Sequence, residues 1–146
     1  MTIRFYSTKD AYGCFSNFSA HPFEIDGKRW PTSEHYFQAQ KFAGSDYEET
    51  IRNAASPMIA ARLGRSRKHP LRSDWESAKD DIMRRAVMAK FSAHTDIRDI
   101  LLGTNDDEIV ETTSKDYYWG CGTDGTGRNM LGKILMEVRE ALKGER

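Results

Sequence analysis

Trp30-Pro31-Thr32-Ser33-Glu34-His35-Tyr36-Phe37-Gln38-Ala39-Gln40-Lys41-Phe42 is the stretch around which the rest of the chain is organised. Pro31 and two hydroxyl residues lead into it, and Ser33 is the candidate N-cap, able to accept a backbone N–H. At about 100° per residue, Glu34, Gln38 and Lys41 share one narrow wedge of the helix surface. Tyr36, Phe37, Ala39, Phe42 and Ala43 cover most of the remaining circumference. A helix that is apolar nearly all round is buried, so the polar wedge faces either a thin strip of solvent or an internal pocket. The first alternative is a weak surface charge pair. The second is a carboxylate, an amide and an amine converging where they can act on a polar small molecule.

Upstream, Phe23-Glu24-Ile25-Asp26-Gly27-Lys28-Arg29-Trp30 predicts a hairpin, with an Asp-Gly turn between alternating residues. It delivers the chain directly into the helix, which Gly44 ends. Ile3–Tyr6 is a short β-like run. In Cys14-Phe15-Ser16-Asn17-Phe18 two aromatics bracket Ser-Asn outside any regular period, which predicts a loop with its polar side chains held by packed rings.

Downstream the middle of the chain is helical. Asp46-Tyr47-Glu48-Glu49 starts a short helix, Ser56-Pro57 introduces Met58–Leu63, and Ser73-Asp74-Trp75-Glu76 is a capping box opening a long helix over Asp74–Phe91. Asp96–Leu102 is a further helix, stopped by Gly103. Between them Arg65, Arg67, Lys68, His69 and Arg72 form the strongest local basic run. The pattern then changes: Glu108–Thr113 is β-branched and alternating, and Tyr117-Tyr118-Trp119 is a second strand-like run. A loop with four glycines, Gly120, Gly122, Gly125 and Gly127, precedes an amphipathic helix over Met130–Arg139. The fold class expected is α+β: one domain over residues 1–146, mostly helical around a small β-sheet.

Bulk properties bound the function. The 146 residues suffice for one core, and 38% hydrophobic with 30% charged residues describes a globular chain. Twenty-two basic side chains balance twenty-two acidic ones, so no global field recruits nucleic acid or anionic membrane. No stretch approaches the roughly 20 apolar residues of a membrane span, and no apolar run follows the start Met. Cys14 and Cys121 are expected to be reduced thiols, and the compartment expected is the cytoplasm. His21, His35, His69 and His94 are isolated, with no metal-ligand spacing; no metal and no tightly bound cofactor are expected.

The glycine loop matches neither common nucleotide fingerprint. Glycines nevertheless let a backbone approach a ligand, and the following helix start offers free N–H groups to a phosphate. Asp116 and Trp119 lie just before this loop, Arg128 and Asn129 just after it.

Taken together, Phe15-Ser16-Asn17-Phe18, the Trp30–Phe42 block, Asp116-Tyr117-Tyr118-Trp119-Gly120 and Gly127-Arg128-Asn129-Met130-Leu131-Gly132 resemble the motifs of the NADAR/YbiA-like family, from about Phe5 to Arg139. The Glu-His-Tyr-x-Gln-x-x-Lys block is the specific part. The resemblance implies N-glycosidase chemistry on early riboflavin-pathway intermediates, which carry ribose 5-phosphate on a reactive pyrimidinone. Other family members remove ADP-ribose from guanine in nucleic acid.

On that resemblance Glu34, Lys41 and Asp116 are the candidate catalytic residues. A carboxylate from Glu34 or Asp116 would stabilise charge at the ribose C1′ or activate water, and the other would help protonate the departing base. Lys41 would either hold phosphate or sugar electrostatically or form a Schiff base with the opened sugar, which needs a neutral amine. A direct Glu34–Lys41 ion pair would oppose the second role. Ser16, Asn17, Phe18 and Gln38 would line the substrate site and Trp119 would stack on the base. Gly120, Gly122, Gly127, Arg128 and Asn129, with the Arg65–Arg72 run, would contact phosphate.

Three functions follow: hydrolysis of ribosylamino-pyrimidine phosphates to ribose 5-phosphate, removal of ADP-ribose from guanine in nucleic acid, or non-catalytic nucleotide sensing. The partner expected under the first is a small phosphorylated ribosyl-pyrimidine, with nucleic acid entering only under the second.

Overall fold

The computed structural model describes residues 1–145. The elements are β1 (Thr2–Phe5), β2 (Phe23–Ile25), β3 (Lys28–Trp30), α1 (Ser33–Gln40), α2 (Asp46–Arg52), α3 (Pro57–Arg65), α4 (Trp75–Ala93), α5 (Thr95–Leu102), β4 (Glu108–Glu111) and α6 (Met130–Lys143), with a 3-10 turn at Gly13–Phe15. The α+β class holds, but the strands make two separate two-stranded sheets. β1 pairs parallel with β4, and β2 pairs antiparallel with β3.

The hairpin forms as its turn chemistry requires. Asp26 and Gly27 take φ of 55° and 78°, the two left-handed positions of a type I′ turn, which Asp and Gly tolerate. It ends on Trp30, buried edge-on against Tyr36 at 5.0 Å between ring centres. α1 then runs through the middle of the molecule with α2, α3 and α4 packed around it. Every α1 residue from Ser33 to Ala39 is buried, so the apolar circumference is spent on the core and the polar wedge faces inward.

Several boundaries differ from the sequence expectation. The N-cap of α1 is Thr32, whose Oγ1 accepts the His35 N–H at 3.1 Å. Ser33 sits one residue inside and donates instead to Asn17 Oδ1 at 2.9 Å. His35 Nε2 lies 3.0 Å from the Ala54 carbonyl, which can only accept; the neutral ring therefore donates there and its Nδ1 takes the Thr32 hydroxyl proton at 2.8 Å. Ser56 caps α3 as expected, accepting from Ile59 N, but α3 runs on to Arg65. Asp74 ends its side chain on Arg72, with Oδ1 2.6 Å from Nε, so the box expected at the start of α4 does not close.

Tyr117–Trp119 is not a strand. Asp116 Oδ1 accepts the N–H groups of both Tyr118 and Trp119, at 2.9 and 2.8 Å, and curls the chain into a turn. β4 likewise stops at Glu111. α6 packs across β4 at Gly132, where a Cβ would run into the Ile109 carbonyl. Among the described residues no helix is long and apolar enough to cross a membrane.

Candidate active site

The inward wedge of α1 opens into a cleft of about 270 Å³, lined by Asn17, Glu34, Phe37, Gln38, Lys41, Arg65, Met83, Glu111, Asp116 and Trp119. Six residues singled out individually from the sequence therefore converge, beside Arg65 of the basic run: Asn17, Glu34, Gln38, Lys41, Asp116 and Trp119. They come from the loop before the hairpin, from one face of α1 and from the turn after β4.

Glu34 is held from both ends. Its backbone N–H donates to the Asn17 carbonyl at 3.1 Å, and its Oε2 accepts from Gln38 Nε2 at 2.7 Å, one helical turn away. Burial pushes its carboxyl above the ordinary range, while the Gln38 hydrogen bond and the nearby Lys41 and Arg65 charges pull it back. The Gln38 amide oxygen, Oε1, faces Gly64 and among the described residues has no donor.

Lys41 closes the wedge as the C-cap of α1. It is 8% exposed. Its Nζ makes one long hydrogen bond, 3.4 Å to the Gly64 carbonyl, and lies 5.8 Å from the centres of the Phe37 and Trp75 rings. Among the described residues it forms no ion pair. Burial, with the Arg67 charge adding to it, pushes the amine down to about 8, against an opposing pull from Glu34. The Glu34–Lys41 pair that would keep the amine charged is absent: Glu34 is committed to Gln38.

Asp116 spends Oδ1 on its own turn, and among the described residues Oδ2 has no donor. Trp119 packs edge-on against Phe37 at 5.1 Å. Asn17 fixes the opposite wall through Ser33 and through its amide, 3.6 Å from the Met83 sulfur.

Other sequence candidates lie elsewhere. Ser16 and Phe18 line a neighbouring cavity with Tyr6, Met58 and Glu111. Gly120 and Gly122 lie outside the cleft lining: a Cβ on Gly120 would meet the Thr113 side chain, so its bareness lets the turn close on β4. Gly127, Arg128 and Asn129 border a third, separate depression beyond β4 with Arg4 and Lys133. Arg128 lies over the Tyr118 ring, 5.1 Å from its centre. Asn129, at φ 54°, spends its amide on β4, accepting from Glu111 N at 3.0 Å and donating to Ile109 O at 2.9 Å. It stands in for a missing strand neighbour. Of the basic run only Arg65 reaches the cleft; Arg72 pairs with Asp74, and His69 stacks on Tyr47 at 3.7 Å.

The sequence reading missed Glu111. It is the last residue of β4, opposite Phe5 in the parallel register. Burial first, then the Asp116 and Glu34 charges, push its carboxyl up to about 7. The signal was present: Glu111 shares strand parity with Ile109, which is fully buried, and a carboxylate on the inward face of a strand is out of pattern.

The NADAR domain model matches residues 4–143. The chain belongs to the NADAR family. It is 56% identical over 144 residues to the N-glycosidase YbiA of Escherichia coli K12, covering 99% of this chain and 90% of that one. The NMR structure of E. coli YbiA superposes with a TM-score of 0.91, covering 99% of this chain and 86% of that one. A maize relative, the chloroplastic riboflavin biosynthesis protein PYRR, is 41% identical over 97% of this chain but only 25% of its own length. The family assignment and the cleft fall on the same residues, since the α1 block that carries the resemblance also supplies Glu34, Gln38 and Lys41.

Proposed function

We propose that this NADAR chain is an N-glycosidase, like the relatives it matches, and that it hydrolyses the C1′–N bond of ribosylamino-pyrimidine phosphates, releasing ribose 5-phosphate. The observation that carries the reading is the state of Lys41: a buried amine in a cleft with three carboxylates, pushed down to about 8 and in no ion pair. An amine poised near neutrality is a nucleophile for imine chemistry rather than a fixed phosphate anchor.

A ribose joined through an exocyclic base N–H opens reversibly to an imine at C1′. Lys41 Nζ adds to that carbon, the bond to the base nitrogen breaks with its electron pair staying on nitrogen, and a Lys41 imine remains. Water then adds to C1′ and expels the amine, giving the free sugar phosphate and the regenerated lysine. Glu34, fixed by Gln38, and Asp116 Oδ2 stabilise the cationic carbon and take the proton from water. Arg65 is the cation available to the phosphate. One arginine suits a phosphorylated sugar better than a duplex backbone, which needs several contacts.

A paired turnover assay tests this. The protein is given a ribosylamino-pyrimidinone phosphate and, separately, DNA carrying ADP-ribosylated guanosine, with Glu34→Gln as the control in each. Release of ribose 5-phosphate that the variant loses is the expected result. Preferential release of ADP-ribose replaces the substrate, and binding without release in either arm removes the catalytic reading.

A further inference from the structure

The cleft alone is at the small end for the substrate just proposed. Its roughly 270 Å³ falls short of the pockets of about 300–1,000 Å³ that bury small organic ligands. Next to it lies a second cavity of about 430 Å³, lined by Tyr6, Ser16, Phe18, Met58 and the Ser7-Thr8 turn, with Glu111 on its wall. Glu111 also lines the first cleft. A bond whose two halves occupy the two cavities therefore passes this carboxyl.

The two spaces differ in chemistry. Lys41, Arg65, Glu34 and Asp116 surround the first. In the second, Tyr6, Phe18 and Met58 are three of the six large hydrophobic side chains left exposed on the described surface, at 57, 36 and 69%. Two aromatic rings and a thioether gathered around one opening make a surface for a flat heterocycle. The Ser16 hydroxyl, which accepts from Phe18 N at 3.1 Å, still has its own proton to donate to a carbonyl on that ring.

We propose that the Tyr6–Phe18–Met58 cavity is the subsite for the departing base, a pyrimidinone-like heterocycle, and that Glu111 is the catalytic acid protonating its nitrogen. The assignment rests on the function proposed above. It moves the base away from Trp119 and the leaving-group proton away from Glu34 and Asp116. As the C1′–N bond breaks, the electron pair stays on the base nitrogen and takes the Glu111 carboxyl proton; Glu111 is reprotonated by the proton that Glu34 or Asp116 takes from the water that later adds to C1′. Two features suit Glu111 to the task. Among the described residues its side chain has no hydrogen-bond partner, and it shares the cleft with Asp116 from the following turn, Glu34 and Lys41 from α1 and Arg65 from α3. The two carboxylates and burial keep it protonated up to about pH 7.

Two methionine methyls report the two spaces separately, because Met58 lines the outer cavity and Met83 the inner cleft. In methyl NMR of the intact protein, a diaminopyrimidinone base added alone is expected to shift Met58, and ribose 5-phosphate alone to shift Met83. A base that shifts Met83 and leaves Met58 unmoved overturns the subsite, as does a base that shifts neither. Glu111→Gln is expected to lower kcat about 10²–10⁴-fold with KM retained and to abolish the fall of kcat on the alkaline side. Full turnover, or an unaltered pH profile, overturns the acid. Failure of the underlying reading looks different: the wild-type protein would release no base from the ribosylamino-pyrimidinone, whatever the methyl shifts show.

Discussion

Gln38 Nε2 donates to Glu34 Oε2 at 2.7 Å, and the far side of the same amide is pressed against Gly64 of α3. The neighbouring helix therefore sets the carboxylate through a side chain in contact with both. A Cβ at position 64 would collide with the amide, although alanine is the better helix former by about 1 kcal/mol.

Gly64→Ala is accordingly expected to destabilise the protein by about 1–3 kcal/mol through overpacking, and to reduce turnover as Gln38 swings off Glu34. The double variant Gly64→Ala/Gln38→Ala should recover only part of the stability, because the Cβ of residue 38 still lies 2.8 Å from the new methyl, and none of the activity. Denaturant unfolding and steady-state kinetics on the two variants read the two effects apart. Full activity in the double variant would show that Gln38 does not orient Glu34.

Lys41 predicts both a covalent trap and a pH profile. With its amine at about 8, roughly a tenth of the molecules carry neutral lysine at pH 7, compared with well under a thousandth for an ordinary lysine. Borohydride added during turnover should fix the sugar phosphate to Lys41, seen as a mass increase on the peptide containing it and absent from Lys41→Arg. The neutral amine grows up to about pH 8 while the Glu111 acid is lost above about pH 7. Their product makes kcat rise to about 7, level off, and fall above about 8. A profile still climbing at pH 9 would remove Glu111 as the acid.

The polar wedge was legible before the fold because it is local: a 3.6-residue period places Glu34, Gln38 and Lys41 together whatever surrounds them. The hairpin at Asp26-Gly27 and the Ser56-Pro57 helix start are legible for the same reason. What escaped the local pattern was nonlocal. Glu111 belongs to the site only because β4 pairs parallel with β1 and ends beside α1. Asn129 looked like a ligand group beside a glycine loop, yet the end of β4 claims its amide. Tyr117–Trp119 has strand composition, and one Asp116 oxygen overrides it.

Asn129 and Arg128 separate structure from binding. Asn129→Ala leaves Glu111 N and Ile109 O without their partners, each unsatisfied group costing about 1–3 kcal/mol. Its midpoint of urea unfolding should fall sharply. Arg128→Ala, outside the cleft, should leave KM for the phosphorylated substrate unchanged. A large rise in KM for Arg128→Ala would return the glycine loop to phosphate binding.

Lys90 should give the protein a pH-dependent stability that has nothing to do with catalysis. It is 1% exposed on α4, and its Nζ donates to the Ser16 carbonyl at 2.9 Å, pinning the loop that carries Asn17. Burial pushes its amine down to about 7, with the Cys14 thiol giving only a small opposing pull. The folded pKa is thus below the unfolded one. Between about pH 7 and 10 the unfolded chain holds a proton that the folded chain has released, so stability rises with pH across that window, by up to about 1.4 kcal/mol per unit. Below about pH 7 both states are protonated and the penalty of a buried ammonium is fully present. Lys90→Met removes the titration. Unfolding free energies measured at pH 6, 8 and 9.5 should therefore diverge between the two proteins, the wild type gaining on the variant as pH rises. Parallel curves would mean that Lys90 keeps an ordinary amine pKa in the folded protein, with water reaching it through the Ser16 loop.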